Sequence, residues 1–219
     1  MTRRPDKRAI ASWAFYDFAN TIFSMNVISL YFALWVTVDH GGQDILYSMA
    51  LSGSMLAVAI SAPIFGTISD QTGRRSLPLT ILTFISVLAT AAIGQTDQLW
   101  MGLILFIVAN YCYQSALVFY NGMLPDVARH SNVGVVSGYG VSLGYIGSIV
   151  GLSLVEPFAT DDGRSAAFLP TAILFLIFAI PCFLFVRDQN PKPFYVDVGQ
   201  SFWTLKKTIS DSSKYQPLF

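Results

Sequence analysis

Few side chains here can form ion pairs or strong hydrogen bonds, and their positions are therefore informative. The stretch GTISDQTGRR, Gly66 to Arg75, lies in the short link between two long apolar segments. Gly66 permits close helix contact, and Gly73 permits a turn that a side chain would obstruct. Asp70 is an anion at a helix end, able to pair with Arg74 or with the N-terminus of another helix. With Arg75 beside Arg74, such contacts can latch one conformation and break when two bodies rock. The plainer alternative is a turn whose arginines only follow the charge bias of membrane loops. Two Gly, one Asp and two Arg in register make it the weaker reading.

A second set of polar residues sits inside apolar segments. In the first, Asp17, Asn20, Ser24, Tyr31 and Trp35 recur at helical spacing and share a stripe, with Asn26 nearby. In the fourth, Asn110, Tyr113, Gln114, Leu117 and Asn121 form one side. Counting inward from the segment ends puts Ser24, Asn26 and Asn110 near the bilayer midplane, where an alternating-access solute site belongs. The competing role is helix–helix glue, worth about 0.6 kcal/mol per bond on average. Asp17 also reads two ways. A mid-membrane Asp costs about 2.5–3.5 kcal/mol on insertion scales and marks a proton carrier or substrate contact. One turn inside the membrane, it would merely complement a helix N-terminus.

The elements that position these groups follow from composition. Charged residues are 12% and hydrophobic residues 53%, with mean hydropathy +0.54, far from a soluble profile. A net charge of +0 offers no basic face for nucleic acid. Apolar segments near 13–38, 46–68, 77–94, 99–120, 135–156 and 166–186 each match the length that crosses a bilayer. Helices satisfy their own backbone in lipid, so the expected fold is an all-α membrane protein with six transmembrane helices. Basic residues cluster before the first span, between spans two and three, between four and five, and after the sixth. Only Arg164, beside Asp161 and Asp162, falls on the other side, so both termini are expected in the cytoplasm. Trp13, Trp35 and Trp100 are expected at membrane interfaces. Cys112 and Cys182 fall inside spans and offer neither a disulfide framework nor a metal cluster; no cofactor is implied.

The polar residues repeat with a period of three spans. Spans one and four are polar, two and five rich in Gly, Ser and Ala, three and six free of charge and amide. Three spans reverse orientation, so the expected arrangement is two inverted three-helix repeats. Spans one and four then face a cavity, and three and six can face lipid. Gly140, Gly144, Gly147 and Gly151 of span five provide a surface on which a neighbouring backbone can approach closely. Glu156 and Pro157 close that span.

GTISDQTGRR resembles the major facilitator loop signature G-x-x-x-D-[RK]-x-G-R-[RK], with Gln71 in place of a basic residue. WAFYDFANTIF (Trp13–Phe23), YNGMLPDVA (Tyr120–Ala128) and SGYGVSLGYIGS (Ser137–Ser148) resemble the vacuole-effluxer-like, autophagy-related branch of that superfamily. The resemblance implies secondary transport of small organic solutes, with amino acid efflux as the first class. It also implies twelve spans in two halves. Residues 1–12 would be a cytoplasmic N-terminus, 13–187 the amino-terminal bundle, and 188–219 a linker with a short surface helix around Phe202, Leu205 and Ile209. The partners would be lipid, a small solute, protons, and either the missing C-terminal half or a second copy. Many proton-coupled members carry an Arg in span four a few residues before a Gln. Tyr111 stands there, so Asp17 would have to serve. The bacterial inner membrane is the expected location, or the vacuolar membrane in a fungus. A six-span scaffold or regulatory half-protein is the alternative. An enzyme is disfavoured, because His40 and His130 fall on opposite sides with no paired motif.

Overall fold

The computed structural model describes residues 7–128, 131–160, 163–188 and 191. Six helices long and apolar enough to cross a membrane account for most of them: α1 (Lys7–Asp39), α2 (Asp44–Thr72), α3 (Ser76–Ile93), α4 (Leu99–Val127), α5 (Val133–Phe158) and α6 (Ser165–Phe185). All six expected segments are present. Helix α1 starts six residues before the expected boundary at 13, because the helix continues through Lys7 and Arg8 into the polar flank. Between Ser24 and Tyr31, and again from Trp35 to Asp39, α1 is π-helical. These wider turns, closed by i→i+5 bonds, shift the register that a regular helix would keep.

Helix adjacency follows the expected repeat. α1 packs along α5 and α6, α4 packs along α2 and α3, and α3 and α6 meet. Exchanging each helix with the one three places later (α1 with α4, α2 with α5, α3 with α6) leaves this set of contacts unchanged. The order across the bundle is α5, α1, α6, α3, α4, α2, with α2 and α5 at its ends.

Side chains from α1 and α4 meet over the middle of the bundle. Trp13 stacks on Tyr120 at 4.6 Å, Phe23 meets Tyr113 at 4.5 Å, and Phe32 stacks on Phe106 at 4.1 Å between ring centroids. The numbers climb on one helix as they fall on the other, which is the register of an antiparallel pair. Trp35 continues the ladder by lying against Gly102, where any larger residue would collide with its ring. Trp13 and Trp35, near the two ends of α1, are buried between helices, and their indole N–H groups find partners inside. Trp13 Nε1 donates to the Tyr120 carbonyl at 3.2 Å and Trp35 Nε1 to Ser165 Oγ at 2.9 Å. Trp100 alone of the three is exposed.

Candidate functional site

At the end of the bundle holding the Gly66–Arg75 loop, the chain turns sharply. Gly73 takes φ +62° and its N–H donates to the Ser69 carbonyl at 3.0 Å, closing α2 with a left-handed residue. That turn points Arg75 back beneath the bundle. Its Nη1 donates to Asp126 Oδ2 at 2.6 Å, its Nε donates to Ser69 Oγ at 2.9 Å, and its Nη2 lies 3.7 Å from Asp70 Oδ1. Asp188, just past α6, accepts the backbone N–H groups of Arg75 and Ser76, each at 2.9 Å. An anion is favoured there by the N-terminal end of the α3 dipole.

Two expectations for this loop are corrected. The partner of Asp70 is Arg75 rather than Arg74, and at 3.7 Å with Asp70 80% exposed the contact is weak. The firm ion pair is Arg75–Asp126, with side chains 14% and 21% exposed. Arg74 points to the surface because the turn directs its neighbour inward. Gly66 makes no close helix contact: a Cβ built there meets nothing within 4 Å. Sequence reasoning passed over Asp126 and Asp188. The signal for Asp126 lay in YNGMLPDVA, where an acid follows the end of a long apolar helix.

The opposite end has its own cluster. Arg164 Nη1 donates to Asp39 Oδ1 at 2.5 Å and its backbone N–H donates to Asp39 Oδ2 at 2.7 Å. The expected neighbours Asp161 and Asp162 lie outside the described residues. His40 lies between two backbone carbonyls, with Nδ1 3.0 Å from that of Trp35 and Nε2 3.1 Å from that of Asp97, and the neutral ring can donate to one of them. That is a structural role; His130 lies outside the described residues.

The polar residues nominated on α1 and α4 divide by depth. Asn26 and Asn110 are fully buried. Asn110 Nδ2 donates to Ser54 Oγ on α2 at 2.7 Å, and its Oδ1 has no protein partner; neither amide atom of Asn26 has one. Neither asparagine reaches the surface of this six-helix body, since both lie inside it among the helices. Asn20 and Tyr113 are also buried, with Tyr113 reaching Ser24. Asp17, Ser24 and Gln114 are half-exposed and Asn121 exposed. The single stripe expected on α1 is split accordingly: Tyr31 and Trp35 turn inward while Asp17 and Ser24 remain accessible.

Asp17 sits over the glycines of α5. Cβ atoms built on Gly140 and Gly144 would stand 3.3 Å and 3.4 Å from its Oδ2, and Gly147 lies against the Phe18 backbone and Gly151 against Ile22. The thiols of Cys112 and Cys182 are free and buried. Among the described residues no group of three or more His, Cys, Asp or Glu could hold a metal ion. Among the described residues, one surface groove of about 480 Å³ lies between α1 and α6 beside Arg8 and Phe178, and another of about 440 Å³ between α1 and α5 beside Glu156 and Arg164. Neither is lined by Asn26, Asn110, Tyr113 or Gln114.

This arrangement of six apolar helices, a repeat-symmetric packing pattern and a Gly-Asp-Gly-Arg-Arg loop tied to the fourth helix meets a matching family model. The description Major Facilitator Superfamily fits residues 17–211. The chain belongs to this superfamily. Its members are transmembrane transporters rather than enzymes, so the protein is an integral membrane protein of a solute-transporting family. Among its relatives is an uncharacterized protein of Aquifex aeolicus, 29% identical over 88% of this chain and 49% of its own length. The uncharacterized MFS-type transporter YxiO of Bacillus subtilis is 28% identical over 95% of this chain and 54% of its own. The multidrug resistance protein MdtG of Proteus mirabilis is 25% identical over 77% and 42%. The chain thus spans about half the length of the curated relatives it matches. No solved structure matches it significantly.

Proposed function

We propose that this chain is one half of a secondary transporter that moves small organic solutes by alternating access, with the Arg75 end in the cytoplasm. The observation that carries the reading is the accessible polar strip of Asp17 and Ser24 on α1 and Gln114 on α4, the first helices of the two repeats. In lipid such a strip is unfavourable unless it faces protein or a water-filled cavity. A second six-helix body, from a carboxyl-terminal half or a second copy, would cover it and complete the solute site. The strip holds hydroxyl, amide and one carboxylate, suited to a small polar or zwitterionic solute.

Amino acids are the first class to test, from the resemblance to the vacuole-effluxer-like branch, and efflux is the direction it suggests. Asp17 would be the proton-carrying or amine-binding group. Bacterial relatives favour a bacterial inner membrane over a vacuolar one. The linker between halves, expected over 188–219 with a surface helix around Phe202, Leu205 and Ile209, lies outside the described residues except at 188 and 191.

The test is counterflow of radiolabelled amino acids in proteoliposomes, with this chain alone and with a carboxyl-terminal half supplied from a relative. Solute-specific exchange lowered at least about tenfold by Asp17→Asn supports the reading. No exchange of any amino acid, dipeptide or organic cation under either condition would leave a six-span scaffold as the better description.

A further inference from the structure

The two ends of the bundle carry the same device. Arg75 immediately precedes α3 and Arg164 immediately precedes α6, and each is followed by Ser. Behind each arginine stands a positive-φ glycine, Gly73 at +62° and Gly163 at +141°. The guanidinium of Arg75 binds Asp126 near the end of α4, and that of Arg164 binds Asp39 at the end of α1. Under the exchange that maps each helix onto the one three places later, Asp126–Arg75 becomes Asp39–Arg164. Burial matches as well: the arginine side chains are 14% and 20% exposed, the aspartates 21% and 11%.

We propose that Asp39 and Arg164 are positioning residues that form the opposite-face counterpart of the gate loop, so that each membrane face carries one clamp joining the two repeats. Each clamp ties the start of one repeat's third helix to the end of the other repeat's first helix. The division of labour differs. On the Arg75 face, Asp188 accepts the helix N-terminal N–H groups and Asp126 takes the guanidinium, whereas Asp39 does both. The Asp39 clamp therefore depends on one carboxylate and is the easier of the two to release. Each clamp holds its own end of the six-helix body together as a unit, and neither residue touches solute.

The inference extends the transport reading, but its test does not need transport. Hydrogen–deuterium exchange would be followed by mass spectrometry on the full chain in lipid nanodiscs. Asp39→Asn is expected to raise exchange roughly tenfold in peptides covering 34–43 and 163–168, as loss of a charge-assisted bond implies, and to leave 66–76 and 122–128 unchanged. Asp126→Asn should give the reverse pattern. The paired change Asp39→Arg with Arg164→Asp should restore protection, since the new Asp keeps an anion at the α6 N-terminus. Unchanged exchange in Asp39→Asn overturns the clamp. So does a response spread over both faces, or failure of the charge swap. A face-specific response with no flux from the chain either alone or combined with a carboxyl-terminal half would defeat the transport reading and leave the clamp standing; flux with no face-specific response does the opposite.

Discussion

The α1–α5 and α4–α2 seams occupy equivalent places in the two repeats, yet different chemistry holds them. Along α1–α5, small residues let backbones approach: the Phe18 backbone lies over Gly147, Ile22 over Gly151, and Trp13 and Asp17 over Gly140. Along α4–α2, side chains interlock. Asn110 bonds Ser54, and Phe65 meets Phe119 at 5.6 Å between centroids. The glycines of α2 play no such part, since a Cβ at Gly53 or Gly66 would meet nothing. The repeat thus prescribes which helices are neighbours. It leaves open whether the gap between them is closed by thin helices or by filled ones.

Three substitutions would break or sharpen that contrast. The largest effect is expected at Gly147, where a Cβ would stand 2.5 Å from the Phe18 carbonyl oxygen and 3.0 Å from its Cα. Backbone cannot yield as a side-chain tip can, so Gly147→Val should cost about 3 kcal/mol or more. Reversible unfolding in mixed micelles, followed by tryptophan fluorescence, would read this. A near-wild-type midpoint would mean that the α1–α5 seam is not tightly packed. On the filled seam, Asn110→Ala should cost only about 0.6 kcal/mol, with about 1.7 as the upper end for such bonds in membranes. A loss several times larger in the same titration would show that Asn110 organises more than its bond to Ser54. A change of similar size and opposite sign is expected for Gly66→Ala on the open side of α2. Removing backbone freedom inside a helix should stabilise by about 0.5–1 kcal/mol. If the thermal midpoint in detergent instead falls, Gly66 has a neighbour in the membrane beyond the six helices described here.

The class of fold and much of its internal order were legible in the residues. Apolar runs separated by short polar links leave only membrane-crossing helices, and the period-three distribution of polar groups pointed to the inverted repeat. Gly73 was readable as a turn because few other residues tolerate a positive φ. The polar cluster was legible only in part. Asp70 and the arginines drew attention through local spacing, but the firm partner of Arg75 is Asp126, 51 positions away. Local spacing cannot rank such partners, because the choice depends on which helix ends meet. The same limit hid Asp39–Arg164, 125 positions apart. It also hid Asp188 at the start of α3.

Helical stripes on α1 failed for a different reason. Counting by a regular turn put Asp17, Ser24, Tyr31 and Trp35 on one face, and the π-helical segments removed that register. Asn26 and Asn110 looked like cavity residues because polar side chains at the midplane are costly. Packing instead encloses them within the bundle, where only Asn110 Nδ2 finds a protein partner, Ser54 Oγ.

By itself, the sequence determined that the chain is a six-helix membrane bundle of the Major Facilitator Superfamily with two repeated units. Hydrophobic length, loop chemistry and local turn preference are written within a few residues of each other. Tertiary structure alone decided which acid holds which arginine, which polar groups stay accessible, and which glycines are contacts. Those outcomes depend on side chains brought together from distant parts of the chain, and on helix rotations that a few wide turns are enough to change.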